Sequence, residues 1–447
     1  MNHKTVAIAT LGCKVNQYES ASIAGMFRER GYRVVDFGDR ADIYIINTCT
    51  VTHAGDRKSR QVIRRAARAN PDGLVVVIGC YAQVSPEEVL AIPGVDLVMG
   101  TGEKSGIVDR VEELTGGKKI NAVKESFNGC HFDELPAVAV TGRVRAFLKI
   151  QEGCDNYCSY CIVPFARGPL RSRDPGRIMD EAARLVSAGY REIVLTGIHT
   201  GAYGKDKNYS WTLAGLMNDL AGLKGLFRIR LSSVEPMDVT EDLISVMAEG
   251  PPFCPHLHIP LQSGDDSILS AMNRDYSSRD FRRLVENIRE RISGVAVTTD
   301  VIVGFPGETE DNFINTFDFI RDLEFSGLHV FKYSPRKGTA AADFPGQIPP
   351  GVKERRSSRL IRLGSELSGK FASRYLGKDV EVLVEGEVEG MPGIMHGHTP
   401  NYLKVIFPVE GDMRGVLVTV RAEKLSGEIL EGRIIRFNEG FVPGHVE

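Results

Sequence analysis

The sequence predicts a three-domain α/β protein: an amino-terminal βαβ Rossmann-like domain, a central partial (β/α)6 barrel and a small antiparallel β-barrel at the carboxyl end. Valine- and isoleucine-rich runs alternate with helical patterns up to about residue 125, as in a parallel sheet buried on both faces. Strand and helix patterns alternate again between residues 137 and 350. From residue 376 to 440, short strands of alternating polarity are separated by glycine-rich turns, which is typical of a small β-barrel.

In the first domain, residues 1–125, three apolar runs each end on a cysteine. The runs 5–12, 42–48 and 74–79 lead to Cys13, Cys49 and Cys80. Helical patterns at about 18–31 and 55–69 separate them, so we expect a βαβαβ unit with right-handed crossovers. Because parallel strands point the same way, the three thiols should converge at the carboxyl edge of one sheet, where α/β folds place ligands. A single cysteine at a strand end is usually a core residue. Three at equivalent strand ends predict an iron–sulfur cluster in which one iron has no protein ligand.

The central domain, residues 137–350, contains six strand-like runs, 146–150, 192–196, 227–232, 256–261, 296–303 and 328–333. Six β/α units are too few for a closed eight-stranded barrel, so an open partial barrel is predicted. Its first helix has clear end signals, with Asp174 as the cap, Pro175 at the first helical position and Gly189 after the last turn. The first strand leads into a second group of cysteines, at the barrel end where active sites lie.

These cysteines, Cys154, Cys158 and Cys161, have the spacing C-x3-C-x2-C. Three thiolates leave a four-iron, four-sulfur (4Fe-4S) cluster one ligand short, so the open iron can bind a substrate. The alternative is a zinc loop with a distant fourth ligand, His199 or Cys130. Zinc sites favour repeated C-x2-C pairs, however, and the sequence has no second pair. Cys130 and Cys254 have no partner at metal spacing and are predicted to be structural or incidental.

The cysteine loop, with Tyr160 directly before its last cysteine, resembles the signature of the radical S-adenosylmethionine (SAM) enzymes. A three-cysteine α/β domain in front of such a loop resembles the methylthiotransferases. The segments that carry this resemblance are residues 10–20 (TLGCKVNQYES), 47–49 (NTC) and 78–83 (IGCYAQ). The KVNQY motif is similar to that of the branch that acts on threonylcarbamoyladenosine in tRNA. The isopentenyladenosine branch typically reads QMN there, and the ribosomal-protein branch reads PKN.

The resemblance implies two 4Fe-4S clusters, SAM as cofactor, and conversion of N6-threonylcarbamoyladenosine next to the anticodon to its 2-methylthio derivative by radical chemistry. It also implies that SAM is contacted at successive strand ends by Gly197, Ser233, Glu235, Gln262 and Gly304. The implied partners are the tRNA anticodon stem-loop, a low-potential electron donor of the flavodoxin or ferredoxin type, and a sulfur donor. The carboxyl-terminal barrel resembles the RNA-binding TRAM domain.

Several arginines are candidates for RNA contact. On the helix predicted at 55–69, four of them share one face: Arg57, Arg60, Arg64 and Arg68. This stripe is either a solvated surface or a phosphate-binding one, since phosphate neutralisation dominates affinity for nucleic acids. Arg167, Arg171 and Arg173 are either solvated or bound to substrate phosphates or to the SAM carboxylate. Residues 351–375 form a basic, helix-like linker to the last barrel.

The composition, with a net charge of −3, is that of an ordinary globular protein, so RNA binding must depend on local basic patches. With no signal-peptide pattern, no apolar run of bilayer length and clustered cysteines, a cytoplasmic protein without membrane contact is expected. Three alternatives remain open at this point. The first is a methylthiotransferase acting on isopentenyladenosine tRNA or on a ribosomal-protein aspartate. The others are a radical SAM enzyme of another reaction type and a noncatalytic, metal-containing RNA-binding protein.

Overall fold

The computed structural model describes residues 4–114, 119–124, 126–127, 131–136, 144–208, 210–409 and 411–438. Cys130 and the first residues of the predicted central domain, 137–143, lie outside these ranges. None of the helices in the described ranges is long and apolar enough to cross a membrane.

The amino-terminal part of the described chain is a parallel sheet flanked by helices. Its strands, in the order β2-β1-β3-β4-β5-β6, are β1 (Thr5–Thr10), β2 (Arg33–Val35), β3 (Ile43–Thr48), β4 (Leu74–Gly79), β5 (Leu97–Val98) and β6 (Ile120–Asn121). Its helices are α1 (Lys14–Glu29), α2 (His53–Ala69), α3 (Cys80–Val84), α4 (Pro86–Leu90) and α5 (Ile107–Glu112). The predicted βαβαβ unit is therefore present, extended by three short strands that the sequence did not indicate.

The central strands of this sheet are buried on both faces. Ile46 packs into an apolar cluster on one side of β3, and Ile45 packs into a second cluster on the other side. This explains the continuous apolar runs, because alternate side chains of each strand face different helix layers. The order β1-β3-β4 places the carboxyl ends of the three cysteine-bearing strands next to one another.

The central part is an open arc of parallel strands. β7 (Arg145–Lys149), β10 (Glu192–Thr196) and β11 (Arg228–Leu231) form one sheet, and β12 (His256–His258), β13 (Ala296–Val303) and β14 (Gly327–Lys332) form another. Parallel bridges from Ile229 to Phe253 and from Ser233 to His258 join the two sheets. A two-stranded piece, β8 (Gln151–Glu152) with β9 (Arg171–Ser172), flanks the arc. The predicted partial barrel is confirmed.

Helices cover the outside of this arc: α7 (Pro175–Ser187), α8 (Leu213–Ala221), α9 (Glu241–Ala248), α11 (Ser278–Arg291) and α12 (Glu310–Leu323). Two shorter helices, α6 (Val163–Arg167) and α10 (Asp266–Ala271), follow the loops after β8 and β12. α7 begins as predicted, with the Asp174 side chain accepting a hydrogen bond from the backbone N–H of Arg177. The apolar core lies between helices and strands, and it includes Leu257, Val297 and Val301 from the outer faces of β12 and β13.

The last part is a long helix followed by a closed barrel. α13 (Pro350–Ser373) packs on the partial barrel through Leu360 and on the closed barrel through Phe371. The closed barrel consists, in its described parts, of β15 (Asp379–Glu387), β16 (Ile394–His398), β17 (Lys404–Pro408), β18 (Leu417–Ser426) and β19 (Ile429–Phe437). The predicted small barrel is confirmed, with β16 as an additional strand and one parallel pair, β17 with β19.

Candidate metal centres

The first group of thiols lies at the carboxyl edge of the amino-terminal sheet. Cys13 follows β1, Cys49 follows β3 and Cys80 begins α3. Gly12, at φ +99°, is needed for this arrangement, because a Cβ there would lie 2.8 Å from the Cβ and 3.1 Å from the sulfur of Cys49. Burial and the neighbouring sulfur of Cys80, together with that of Cys13, raise the pKa of the Cys49 thiol to about 11. The three sulfurs therefore share one site.

The second group lies in the loop after β8. Gly153, at φ +75°, starts this loop where any Cβ would clash with the carbonyl of Pro169. The backbone N–H of Cys154 bonds the carbonyl of Gly168 at 3.1 Å, and that of Cys161 bonds the carbonyl of Cys158 at 2.9 Å. Burial and the neighbouring sulfurs of Cys158 and Cys154 raise the pKa of the Cys161 thiol to about 12. The loop thus gathers its three sulfurs as the spacing predicts.

The geometry of both triplets fits iron–sulfur clusters better than single zinc ions. All seven cysteines within the described ranges are free thiols. Three thiolates on one tetrahedral zinc ion would have sulfurs about 3.8 Å apart, given Zn–S bonds of about 2.3 Å. In neither triplet do all three sulfurs lie within 4.8 Å of one another. Among the described residues, the group of three potential metal ligands that is this compact is His258, Asp300 and His329. A cluster, whose cysteines bind different iron atoms, suits the wider spacing.

Each triplet has an arginine that donates to a sulfur. Arg167 Nε lies 3.2 Å from Cys80 Sγ, and Arg274 Nη1 lies 3.3 Å from Cys158 Sγ. Arg274 also forms an ion pair with Glu235. Hydrogen bonds and positive charge next to cysteine sulfurs stabilise an anionic cluster and tune its potential. Arg274 was not identified from the sequence, because it lies in the loop between α10 and α11 and no local pattern marks it.

Arg167 belongs to a buried charge network that connects the two triplets. It is the last residue of α6, directly after the Cys161 loop, and it reaches across to Cys80. Its Nη1 lies 2.6 Å from Glu19 and 2.9 Å from Glu152. Lys104 and Lys149 also pair with Glu19. Three cationic side chains thus face two carboxylates, and the excess positive charge lies beside Cys80, as an anionic cluster there requires.

The other two arginines after the loop are also engaged within the protein. Arg173 pairs with Glu181 at 2.5 Å and with Glu134 at 2.8 Å, and it is buried. Arg171 donates to the carbonyls of Pro169 and Arg167. Arg167 and Arg173 are buried in ion pairs within the protein. They are therefore neither solvated nor available to a substrate phosphate or to the SAM carboxylate.

The predicted SAM contacts lie at the carboxyl ends of successive strands. Glu235 is adjacent to the second triplet through Arg274, which bonds both Glu235 and Cys158. Gln262, at φ +65°, is held between Asp300 and Ile302 by backbone hydrogen bonds of 2.8 and 2.9 Å, with its side chain partly exposed. Ser233 is exposed. The strand-end positions are thus as predicted, and the assignment of these residues to SAM stays a prediction.

The two glycines predicted to contact SAM have packing reasons of their own. A Cβ at Gly197 would lie 2.9 Å from the side-chain oxygen of Gln151, and one at Gly304 would lie 2.4 Å from Lys353. The backbone N–H of Gly304 donates to Glu308 at 2.6 Å. Close approach by neighbouring side chains therefore accounts for both glycines, and their contact with SAM also stays a prediction.

The basic stripe lies on α2, which begins just after Cys49. Arg57, Arg64 and Arg68 are exposed, whereas Arg60 bonds Tyr81 at 2.9 Å and Glu88 at 3.1 Å. Three of the four predicted arginines thus present guanidinium groups to solvent. Their role in RNA binding stays a prediction.

His199 and the remaining described cysteine, Cys254, are packed inside the protein. Cys254 is buried, and burial raises the pKa of its thiol to about 11. His199, the alternative zinc ligand, has Nδ1 3.6 Å from Cys154 Sγ, and its Nε2 bonds Asp238 at 2.5 Å. That second bond orients the imidazole as a neighbour of the Cys154 loop.

Comparison with known proteins agrees with this architecture. Residues 5–100 match the uncharacterized protein family UPF0004, and residues 148–320 match the radical SAM superfamily. Threonylcarbamoyladenosine tRNA methylthiotransferase MtaB of Bacillus subtilis is 46% identical over 99% of both chains. MtaB of Thermotoga maritima is 38% identical over 98% of this chain and 99% of its own length. A tRNA-2-methylthio-N(6)-dimethylallyladenosine synthase of Moorella thermoacetica is 36% identical over 97% of this chain and 98% of its own.

The fold also resembles solved structures. The radical SAM methyltransferase TsrM of Kitasatospora setae, with cobalamin and a 4Fe-4S cluster bound, gives a TM-score of 0.55 at 15% identity. The match covers 84% of this chain and 96% of that one. The cobalamin-dependent SAM radical enzyme OxsB gives 0.52 at 14% identity, over 83% of this chain and 56% of that one. At these identities, the likeness concerns the fold alone.

Proposed function

The chain belongs to the radical SAM methylthiotransferases, and on this premise we propose that it converts N6-threonylcarbamoyladenosine beside the tRNA anticodon to the 2-methylthio derivative. The observation that carries the choice of substrate is the 46% identity with the Bacillus subtilis threonylcarbamoyladenosine enzyme across 99% of both chains. The dimethylallyladenosine enzymes are 35–37% identical over 96–97% of this chain. The enzyme uses SAM and 4Fe-4S clusters.

In this proposal the two cysteine triplets hold one cluster each, through Cys13, Cys49 and Cys80 and through Cys154, Cys158 and Cys161. When bound, the clusters and SAM would supply an electron at low potential, a radical that abstracts a hydrogen atom, and the methylthio group. The chain's own residues shape the two sites. Arg167 and Arg274 donate hydrogen bonds to the cysteine sulfurs, and burial of Cys80 keeps water from the thiolate.

The strand ends of the central barrel orient SAM in this proposal. Ser233 and Gln262 present polar groups beside Glu235, and Glu235 is fixed through Arg274 next to the second triplet. Gly197 and Gly304 complete the same rim. The exposed arginines of α2 and the carboxyl-terminal barrel bind the anticodon stem-loop. The modified base is splayed out of its loop to enter the space between the triplets, as recognition of RNA loops allows.

The reaction also needs partners that supply electrons and sulfur. We assign these roles to a flavodoxin- or ferredoxin-type protein and to a sulfur donor, because one-electron reduction at low potential is required and the product gains a sulfur atom. A reducing, cytoplasmic setting suits the free thiols of both triplets.

Nucleoside mass spectrometry of tRNA from a strain that lacks the gene tests the substrate. The expected result is loss of the 2-methylthio-threonylcarbamoyladenosine signal with a matching gain of threonylcarbamoyladenosine. Complementation with Cys254→Ala should restore the product, because Cys254 lies outside both triplets, and complementation with Cys161→Ala should not. Selective loss of 2-methylthio-isopentenyladenosine would assign the chain to the other tRNA substrate. Unchanged tRNA would redirect the search to a protein substrate.

A further inference from the structure

Three neighbouring strands of the partial barrel carry potential metal ligands on one face. In the parallel register, His258 of β12 lies opposite Thr298 of β13, and Asp300 of β13 lies opposite His329 of β14. Side chains two residues apart on a strand share a face, so Thr298 and Asp300 point the same way. The next residue, Val301, packs on the other face into the core beneath the helices. The two histidines and the aspartate therefore lie on the inner face of the arc, on a hydrogen-bonded sheet.

The three side chains bring their ligand atoms close together. Oδ1 of Asp300 lies 3.2 Å from Nε2 of His258 and 3.0 Å from Nδ1 of His329, and the three ligand atoms all lie within 4.8 Å of one another. A tetrahedral zinc ion with bonds of about 2.0–2.1 Å to nitrogen and oxygen holds its ligand atoms about 3.3–3.4 Å apart. The two separations from Asp300 thus need to change by only a few tenths of an ångström to accept such an ion.

The Thr298 hydroxyl fixes the orientation of His258. Its Oγ1 lies 2.9 Å from Nδ1 of His258, so Nε2 is the ring nitrogen that faces Asp300. A histidine that binds a metal usually has such a hydrogen-bond partner on its second ring nitrogen, because the partner sets the direction of the ring and raises its basicity. His258 is therefore held in the orientation that a metal ligand needs.

The charge and the exposure of the group suit a cation that enters from solvent. Within the described chain, the ion-pair partners of Asp300 are the two imidazoles, and no lysine or arginine pairs with it. The side chains of His258, Asp300 and His329 are 15%, 25% and 66% exposed, so the site is open on the His329 side. Two imidazoles and one carboxylate are a common ligand set for a single divalent transition-metal ion. They leave a further position for water or for an oxygen atom of a bound molecule.

We propose that His258, Asp300 and His329 bind one divalent transition-metal ion such as zinc, at a site separate from the two iron–sulfur clusters. None of the three ligands belongs to either cysteine triplet or to the predicted SAM contacts, so the proposal does not depend on the proposed function. In the absence of a metal, Asp300 accepts hydrogen bonds from the imidazoles instead. Retention of added zinc distinguishes a metal site from a purely hydrogen-bonded group.

Zinc binding to the reconstituted holoenzyme tests this site, because iron then occupies the cysteine triplets. Zn²⁺ is added anaerobically, zinc and iron are counted after dialysis, and X-ray absorption at the zinc K-edge identifies the ligand atoms. We expect about one zinc ion per chain at unchanged iron content, with a nitrogen and oxygen shell at about 2.0–2.1 Å and no sulfur shell at about 2.3 Å. A sulfur shell, a loss of iron, or no zinc retained by the unaltered protein would overturn the proposal.

Two variants and one control locate the bound zinc. His329→Ala removes an exposed ligand, and Thr298→Val removes the hydroxyl beside His258 at nearly constant size. Loss of a ligand's hydrogen-bond partner typically weakens metal binding about 10- to 100-fold, so we expect a decrease of that size in Thr298→Val and a larger one in His329→Ala. Calorimetric titration of the holoenzyme with Zn²⁺ measures both decreases.

The control, His131→Ala, changes another exposed histidine, in the segment before β7, and should bind zinc like the unaltered protein. An iron content equal to that of the unaltered protein shows that each variant is folded. Unchanged zinc affinity in His329→Ala, or an equal decrease in His131→Ala, would overturn the proposal.

Discussion

The Nε atom of Arg167 donates a hydrogen bond to the sulfur of Cys80 at 3.2 Å, although 87 residues separate the two in the chain. Arg167 ends the short helix that follows the second cysteine triplet, and Cys80 belongs to the first. One side chain therefore links the two predicted cluster sites. Because Arg167 is completely buried among Glu19, Glu152 and Asn16, this link is fixed by an internal network rather than by surface contacts.

Arg167→Met is expected to destabilise the protein strongly. The substitution removes the positive charge that pairs with the buried carboxylates of Glu19 and Glu152. Removing one partner of a buried ion pair typically lowers the free energy of unfolding by about 3–5 kcal/mol. Arg167→Lys keeps the charge but loses the forked hydrogen bonds, so its loss should be smaller. The matched control Arg177→Met removes a mostly exposed guanidinium and should change stability by about 0.5 kcal/mol at most. Anaerobic denaturant titration measures these differences, and equal stability of the Arg167→Met and Arg177→Met variants would refute the network's role.

Cys13→Ala should separate the two chemical activities. We expect SAM cleavage, measured as 5′-deoxyadenosine, to persist, because the second triplet is untouched. Thiomethylated RNA should fall below detection, since the first triplet loses one of three cluster ligands. Cys254→Ala, the control, should retain both activities because Cys254 is buried and belongs to neither triplet. Loss of both activities together in Cys13→Ala would contradict this division of labour.

Arg274→Met should lower the reduction potential of the second cluster. Arg274 donates to Cys158 Sγ at 3.3 Å, and its positive charge favours the more negative, reduced state of the cluster. The expected shift is on the order of tens of millivolts toward more negative values. A redox titration followed by electron paramagnetic resonance measures it. Arg279→Met, an exposed change on α11, is the control, and a shift of equal size there would remove the assigned role of Arg274.

The double variant Arg64→Gln/Arg68→Gln should weaken tRNA binding and reduce its salt dependence. Both arginines are exposed on α2, and each phosphate contact contributes about 0.7–0.9 to the slope of log affinity against log salt concentration. For two lost contacts, a decrease of about 1.4 to 1.8 in the magnitude of that slope is expected. The control Arg279→Gln/Arg283→Gln alters two exposed arginines of α11 and should leave the slope unchanged. An unchanged slope in the α2 variant would mean that the stripe is a solvated surface.

The sequence was informative wherever local chemistry determined the structure. Apolar runs ending in Cys13, Cys49 and Cys80 predicted neighbouring parallel strands, because strands buried on both faces leave continuous Val and Ile runs. The start of α7 followed from Asp174 and Pro175, a cap and a helix-starting residue. In these cases the pattern that reveals the element is also the pattern that stabilises it.

What the sequence did not reveal depends on contacts between distant residues. β5 and β6 are two residues long, too short for any periodic pattern. β16 contains Gly397, and glycine is a poor strand residue. It is required there because a Cβ would lie 2.1 Å from the carbonyl oxygen of Leu383 on the neighbouring strand. The pairing of Arg274 with Cys158 spans 116 residues, and no local signal marks it.

The most direct test of two cluster sites is the iron content of the anaerobically reconstituted protein, counted by Mössbauer spectroscopy and chemical analysis. The unaltered chain should hold about eight irons. The triple alanine variants of Cys13, Cys49 and Cys80 and of Cys154, Cys158 and Cys161 should each hold about four, because each removes one set of ligands. About four irons in the unaltered chain, or the same iron content in all three proteins, would contradict the account.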